Sequence, residues 1–533
     1  MRIPWRCLPI LASLAAACGG GGSGGDSNKG GSVSAAASGV HGILTYDRVP
    51  TTPSSGLAYA STVQKPIRGA EVRLVDASSL ATLSQTTADA SGAYALTVPA
   101  GAPSQVRVAV LARTTTPPME VRDNTDGSIW AVVSAPFAPG DVQKDLRAPS
   151  GWTGRSYDPQ TRIAAPFAIL DSMLTAAQGF LAVRQPTFPP LTLNWSPDNV
   201  PQPGLAMLGQ IGTSHWDGEQ LYILGAEDVD TDEYDDHVIV HEWGHYFESK
   251  LSRSDSPGGP HSVGDEKDPR LAWSEGWGNG LSAILLAPDT SYRDTQGPQQ
   301  ATTAIDDDLE QNVRGPGTGD PTPGWWSEGS IARILVDLAD GPAGSAEPFD
   351  RVSLGLGPIY DVAVGAQKTT PRLTSVFTFV TALKAANPAV AADIDALVAE
   401  RGFSVTDDAG TGNPRPAPLT GAVLYQPVVE NSGLLTLRLA GNAPNDVNAN
   451  RYLTVTGNGA QMTVSAKSVG DVAITVFQAG AVVAAADQFF GGATESASFP
   501  TTSGLPYVVV LTGFESSPGT PFDYTADLTL TSP

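Results

Sequence analysis

The chain has 533 residues, with 31 Lys or Arg against 55 Asp or Glu, which gives a formal net charge of −24 at pH 7. A surface this acidic repels the phosphates of nucleic acids and of anionic lipids, which excludes both as partners. The two cysteines are Cys7 and Cys18, so no intramolecular disulfide or thiolate metal site can form beyond the N-terminal segment. The length suffices for about three domains, stabilised by hydrophobic cores and metal.

The first 18 residues have the composition of an export signal, a basic start followed by an apolar stretch from Cys7 to Ala17 that is too short to span a bilayer. Residues 14–18, Leu-Ala-Ala-Ala-Cys, resemble a bacterial lipobox, although Leu14 stands one position early. The resemblance implies cleavage before Cys18 and a lipid anchor on it as the only membrane contact, at the outer membrane because Gly19 follows. The alternative is a plain signal peptide, which would leave the protein secreted.

Residues 19–38 are rich in Gly, Ser and Ala and are predicted to be a linker. From 39 to 149, short runs of alternating apolar and polar residues are separated by Gly and Asp residues typical of turns. This pattern predicts a β-sandwich with strands near 42–46, 69–75, 92–98 and 106–110. The order of segments 41–43, 69–72, 87–94 and 98–101 resembles the carboxypeptidase regulatory-like domain. That resemblance implies an accessory role for this domain.

Residues 150–408 mix helices and strands. A helix is predicted from Pro166 to Val183, strands at 191–195 and 220–224, and a last helix from Pro388 to Arg401 with Asn387 as its N-cap. Strands followed by a long helix and further helices predict an α+β domain.

Residues 415–533 return to short β runs, at 434–439, 452–455, 472–477 and 507–511. This pattern predicts a second β-sandwich, and it resembles the bacterial pre-peptidase C-terminal domain. The predicted fold is therefore multidomain, with a central α+β domain flanked by two β-sandwich domains.

The segment His241-Glu242-Trp243-Gly244-His245 carries the main chemical signal. Two histidines four apart on a helix face the same way and can share a zinc ion, while Glu242 is placed to polarise water bound to that ion. No proline lies between Thr231 and Ser256, so a helix of about four turns is predicted. The alternative is a buried helix whose histidines are hydrogen-bonded core residues.

A catalytic zinc needs one more protein ligand and an open position, and the sequence offers Glu275, His261 and Asp265. The stretch Ser274-Glu275-Gly276-Trp277-Gly278 resembles the second motif of gluzincin peptidases. The resemblance implies an α+β, zincin-like catalytic domain in which Glu275 is the third ligand, on a helix packed against the first. Asn279, one turn further on, then stands where many gluzincins carry a polar partner for a zinc histidine.

Two departures from known patterns bear on this assignment. Glu275 lies thirty positions after His245, further than in the best-known gluzincins, so the loop from Ser252 to Arg270 is interpreted as an insertion. The metzincin motif is excluded, because Glu248 and Leu251 occupy the positions of its glycine and third histidine.

The gluzincin resemblance implies hydrolysis of a peptide bond by water on a single zinc ion, with Glu242 as general base. The expected partner is a peptide or protein substrate, and the chain is expected to act as a monomer at the cell envelope. No oxyanion-stabilising residue can be assigned, although His237, His261 and Tyr360 are candidates. The alternative function is a noncatalytic cell-surface binding lipoprotein with a zinc-stabilised central domain.

Two acidic stretches, 228–236 and 306–308, contain hard oxygen ligands that could bind Ca²⁺, but no EF-hand spacing supports a calcium site. We expect these acids to be solvated. Glu328 is expected to be a helix cap or a surface acid.

Overall fold

The computed structural model describes residues 39–53, 56–299, 302–341 and 348–533. The predicted signal and lipobox at 1–18 and the linker at 19–38 lie outside the described residues, so export and attachment through Cys18 stay predictions.

The N-terminal region is built from short strands whose inward residues, such as Tyr94 and Leu96, alternate with exposed ones as the period-two pattern predicts. The strands are β1 (Gly39–Arg48), β2 (Thr51–Thr52), β3 (Gly56–Leu57), β4 (Val63–Pro66), β5 (Ala70–Asp76), β6 (Thr82–Thr87), β7 (Ala93–Thr97), β8 (Val106–Thr115), β9 (Pro118–Arg122), β10 (Ala131–Val133), β11 (Val142–Gln143) and β12 (Leu146–Ala148). One sheet forms around β1, which pairs with β4, β7, β11 and β12. A second contains β5, β6, β8, β9 and β10.

The second sheet continues past the end of this region. Strand β13 (Leu191–Trp195) pairs in parallel with β9, and β15 (Leu221–Ile223) and β14 (His215–Trp216) extend the same sheet. The hydrogen-bonded sheet therefore crosses the boundary predicted at 149/150. One hydrophobic core runs from Val40 in β1 to Trp243 in the helical region, so the two regions fold around shared apolar residues.

The central region contains seven α-helices among the described residues: α1 (Ala165–Val183), α2 (Asp236–Lys250), α3 (Pro269–Leu286), α4 (Glu328–Ala339), α5 (Leu356–Val362), α6 (Val376–Ala386) and α7 (Ala391–Ala399). A π-helical turn at Ala363–Gln367 follows α5, and short 3₁₀ turns lie at Tyr59–Ser61 and Ala206–Leu208. Helix α1 is long and apolar enough to cross a membrane, yet most of it is buried inside the protein as a core helix. Asn387 does not begin the last helix as predicted, because its side chain donates to the carbonyl of Leu383 and ends α6.

A small sheet lies beside these helices, formed by β16 (Gly225–Ala226), β17 (Asp230–Thr231), β18 (Ser291–Gln296) and β19 (Thr302–Asp308) in that order. The C-terminal region contains β20 (Tyr425–Pro427), β21 (Leu435–Gly441), β22 (Asn450–Thr456), β23 (Gln461–Ser468), β24 (Asp471–Gln478), β25 (Ala481–Ala486), β26 (Thr494–Pro500), β27 (Pro506–Phe514) and β28 (Phe522–Thr531). They form a five-stranded sheet, β20-β22-β27-β24-β25, and a four-stranded sheet, β21-β28-β23-β26. Inward residues of both sheets, such as Leu439 and Leu511, share a separate hydrophobic core, as expected of a β-sandwich.

Candidate metal centre

Helix α2 carries His241, Glu242 and His245. Asp236 lies in its first turn and Lys250 in its last, and both charges stabilise the helix through its dipole. The opposite face is fixed in the core, where Phe247 stacks on Phe180 of α1 with ring centroids 4.6 Å apart. Because that face is packed, the two histidines are held toward α3 and the cleft beside it.

Glycines allow α3 to approach its neighbours on two sides. A Cβ at Gly278 would lie 2.7 Å from Nδ1 of His241, and one at Gly276 would lie 2.5 Å from Cβ of Ile331 in α4. Side chains at these positions would push the helices apart. The indole of Trp277 also donates to the carbonyl of Gly244, 3.2 Å away, and fixes the crossing of α2 and α3. The glycine-rich stretch thus brings Glu275 into contact with the two histidines.

Three side-chain atoms converge at this crossing. Nε2 of His241 lies 3.0 Å from Nε2 of His245, and Oε2 of Glu275 lies 3.2 Å and 3.4 Å from those two nitrogens. Ligands of a tetrahedral zinc ion with Zn–N bonds of about 2.0–2.1 Å are roughly 3.3 Å apart. The three separations therefore suit a single zinc ion.

Hydrogen bonds on the far side of each ring support the same interpretation. Nδ1 of His241 lies 2.7 Å from Oδ1 of Asn279, an acceptor, so the proton sits on Nδ1 and Nε2 is left as a free base. Nδ1 of His245 lies 3.2 Å from Oγ of Ser274, whose own hydroxyl donates to Glu248 at 2.6 Å. Two basic nitrogens and a carboxylate oxygen then face one another, an arrangement that is complementary to a cation.

Where α2 crosses α3, His245 and Glu275 shift each other's pKa values. Burial alone would lower the pKa of His245, but the adjacent Glu275 carboxylate raises it to about 10. Burial likewise opposes ionisation of Glu275, yet His245 and the other histidines hold its pKa well below the usual value. The two side chains therefore form an ion pair, in which the proton on His245 balances the charge of Glu275.

Glu242 and Tyr292 lie beside these three residues on the wall of a cleft of about 1190 Å³. Glu242 is 8 % exposed, and the ring of Tyr292 lies 6.0 Å from that of His241. Burial, together with Asp294 and Glu242, raises the pKa of Tyr292 well above its usual value, so the phenol stays protonated. The sequence analysis did not single out Tyr292, because a lone tyrosine in a hairpin carries no motif.

The other ligand candidates lie at different places. His261 forms a second group, in which its Nε2 is 3.3 Å from Oε2 of Glu275 and its Nδ1 is 3.0 Å from Oε2 of Glu328. Asp265 accepts from the backbone of Ser262 and pairs with Lys267 in the loop. Glu328 does begin α4, but its side chain contacts His261 in the cleft, so the expectation of a simple cap or surface acid was incomplete.

Two of the three oxyanion candidates lie away from the cleft. His237 is buried against Ser282, with Nδ1 2.9 Å from its hydroxyl, and burial lowers its pKa to about 4. Tyr360 packs against Phe180 and Phe247 in the core. His261 does line the cleft.

The expectation that the acidic stretches are solvated was wrong for 228–236, where Asp228 is the one exposed acid. In 228–236, Glu233 is fully buried and pairs with Arg162 at 2.5 Å, and Asp235 accepts from the amide of Thr295 at 2.7 Å. Asp230 and Asp232 are also buried and gather with Asp294. In 306–308 the acids pair with Arg293, Arg333 and Thr290. Glu233 and Asp235 are therefore structural partners of buried donors, whereas Asp306 is exposed.

Comparison with known proteins gives one family match and several partial likenesses. Residues 183–382 match the mycolysin C-terminal domain family, a range that includes α2, α3 and α4. A stretch of 131 residues is 33 % identical to an uncharacterized protein of Archaeoglobus fulgidus, covering 22 % of this chain and 32 % of that protein. The chain therefore spans about a third of the length of this relative. The family match relates the chain to secreted metallopeptidases.

Two solved structures resemble parts of the chain only loosely. The pre-peptidase C-terminal domain of a Bacillus anthracis collagenase is 15 % identical, with a TM-score of 0.16 over 20 % of this chain and 94 % of that one. A periplasmic inhibitor of g-type lysozyme, PliG of Aeromonas hydrophila, is 16 % identical, with a TM-score of 0.16 over 20 % of this chain and 96 % of that one. These scores are too low to carry a structural argument.

Proposed function

We propose that the chain is a zinc-dependent peptidase in which His241, His245 and Glu275 hold the metal. The observation that carries the proposal is the convergence of two basic histidine nitrogens and a carboxylate oxygen on the wall of a large cleft. The mycolysin family match over the same residues supports it.

The chemistry of the proposed site divides between the ion and the side chains around it. A zinc ion held there would act as a Lewis acid toward water and toward the scissile carbonyl. Glu242, adjacent to the first ligand, would accept the proton of the attacking water and deliver it to the leaving amine. Tyr292 and His261 line the cleft and can donate to the oxyanion that develops, since Tyr292 is protonated and Glu328 and Glu275 raise the pKa of His261 to about 9 against the effect of burial.

The size of the cleft supports a polymeric substrate. Sites for small molecules have volumes of roughly 300–1,000 Å³, and this cleft, at about 1190 Å³, is larger. An extended peptide fits such a volume.

The alternative, a noncatalytic binding protein with a structural zinc ion, is less well supported. Structural zinc ions have four protein ligands, whereas catalytic ions keep one position open. The group on α2 and α3 supplies three ligands, with Glu242 next to them on the cleft. A carboxylate in that position has a use in hydrolysis and none in a structural site.

The test is digestion of casein by the purified protein, by the Glu242→Gln variant and by protein treated with a chelator and then given zinc back. We expect Glu242→Gln to bind zinc as the wild type does and to cleave roughly 100- to 10,000-fold more slowly, because the proton acceptor is lost. Glu219→Gln is the matched control, an exposed acid that should leave the rate unchanged.

Full activity of a zinc-loaded Glu242→Gln protein would contradict the role of this carboxylate. A folded, zinc-loaded wild type that cleaves neither casein nor unstructured peptides would favour the binding-protein alternative.

A further inference from the structure

Three aspartates meet at one place in the same cleft. Asp230 is the first residue of β17, Asp232 directly follows that strand, and Asp294 lies on the neighbouring strand β18. Each contributes a carboxylate oxygen, and these oxygens lie within 4.8 Å of one another. Asp230 is 9 % exposed and Asp232 is 3 % exposed, so solvent screens the repulsion between their charges only weakly. We refer to Asp230, Asp232 and Asp294 as the aspartate trio.

Each member of the aspartate trio has an oxygen that nothing satisfies. Ser214 donates to one oxygen of Asp232, but Oδ1 of Asp230, of Asp232 and of Asp294 has no hydrogen-bond partner among the residues that the structure describes. No Lys or Arg in that part of the chain forms an ion pair with any of the three. Buried acceptors without donors are costly, and three together repel one another. The cluster is therefore complementary to a positively charged group that carries donors.

The aspartate trio lies within reach of the proposed metal centre. Tyr292, which packs against His241, precedes Asp294 by two positions on β18, which separates them by about 7 Å along the strand. Eight residues lining the cleft are Asp or Glu, and none of the lining residues identified in the described ranges is Lys or Arg. A cleft of this charge attracts cationic ligands and disfavours a substrate's C-terminal carboxylate.

The number of unsatisfied oxygens suits an ammonium group better than a metal ion. A primary ammonium has three donors, and the trio offers three Oδ1 atoms without partners among the described residues. Acceptors placed about 2.8 Å from an ammonium nitrogen lie roughly 4.6 Å apart, which is compatible with aspartates whose carboxylate oxygens approach within 4.8 Å of one another. Calcium takes about 6–8 oxygen ligands, and three carboxylates supply few of them.

We propose that the aspartate trio is a specificity subsite that binds a primary ammonium group of the peptide substrate. This inference rests on the proposed peptidase function. The group is supplied by a lysine side chain or by the peptide N-terminus, and both present the same three donors.

The test measures binding and does not require turnover. Zinc-loaded Glu242→Gln protein is titrated with three fluorescent peptides of otherwise identical sequence. The first is N-acetylated with one lysine, the second is N-acetylated with norleucine in its place, and the third has norleucine and a free N-terminus. We expect one of the two amine-bearing peptides to bind about 10- to 100-fold more tightly than the acetylated norleucine peptide, as charge-assisted hydrogen bonds predict. The tighter of the two identifies the source of the ammonium group.

Substitutions within the aspartate trio then test whether these residues cause the preference. Asp232→Asn, introduced into the Glu242→Gln protein, should abolish the preference for the amine-bearing peptide. If that double variant folds poorly, Asp294→Asn, at a less buried position, should have the same effect. Asp217→Asn is the matched control, because Asp217 is an exposed acid of the same cleft outside the trio and should keep the preference.

Equal binding of all three peptides would overturn the subsite, and so would a preference that Asp232→Asn and Asp294→Asn both retain. Stoichiometric Ca²⁺ binding that the wild type shows and Asp232→Asn lacks would also overturn it, in favour of a metal site. Failure of the peptidase proposal looks different, because an inactive wild type can still bind the amine-bearing peptide more tightly.

Discussion

The proposed metal centre and the aspartate trio lie on one cleft, and each brings three acceptor side chains together, yet their surroundings differ. In the metal centre, Asn279 and Ser274 support the two histidines from behind, and the converging atoms are 3.0–3.4 Å apart. In the trio, Ser214 supports Asp232, and Oδ1 of each aspartate has no hydrogen-bond partner among the described residues.

Three acceptor side chains that point at one another do not by themselves define a binding site. The hydrogen bonds that hold those side chains from behind decide which ligand the site can bind. Ligands fixed from behind keep one geometry and can select a small ion with strict bond lengths. Loosely supported carboxylates suit a larger group that brings its own donors. Substitutions in the two places should therefore differ in size and in kind.

The largest effect is expected from Glu275→Ala. Structural zinc sites bind the ion with about 10–16 kcal/mol, so one ligand of three accounts for roughly 3–5 kcal/mol, or about 100-fold or more in affinity. Competition with a chromophoric chelator measures the change. Peptide cleavage should fall with zinc occupancy.

Glu328→Ala is the matched control, because Glu328 is a second cleft acid that also contacts His261. Its zinc affinity should stay within a few-fold of the wild type. If Glu328→Ala loses zinc and Glu275→Ala does not, the metal is held by the group around His261 instead.

A smaller effect on zinc affinity is expected from Asn279, which holds His241 from behind. Asn279→Ala removes the acceptor that fixes the proton on Nδ1 of His241, and changes of this kind cost about 10- to 100-fold in metal affinity. Asn279→Asp keeps an acceptor in place and should restore the affinity. An Asn279→Ala protein with unchanged zinc binding would show that the crossing of α2 and α3 orients His241 without this hydrogen bond.

The local parts of both the fold and the site could be predicted from the sequence. The spacing of His241 and His245 follows from one helix, and the motif around Glu275 indicated a second helix against it. Their roles as ligands stay predictions, although the structure places all three side chains together. The C-terminal strands followed from alternation, because each strand buries one face of a sandwich.

What the sequence could not provide depends on contacts between distant segments. Asp294 meets Asp230 only because β18 pairs with β17, and nothing in either segment specifies that partner. The parallel pairing of β9 with β13 likewise joins two regions that composition separates at 149/150. The acidic stretch around Asp232 was misread as solvated, since charge alone does not reveal burial.

The smallest effect is expected in the pH dependence of stability. Burial, followed by repulsion from Asp294, raises the pKa of Asp230 from 3.8 to about 7. The native state therefore binds a proton that the unfolded chain releases, so this stabilising contribution is complete below about pH 4 and is lost as the pH rises through 7. Asp230→Asn carries no such charge, so its Tm should match the wild type near pH 4 and exceed it by a few degrees near pH 8, when both are measured with a chelator present. Asp217→Asn should follow the wild type throughout. A difference that is already full at pH 4 would show that Asp230 is ionised in the native state, and that the trio, like the metal centre, is stabilised by groups around it.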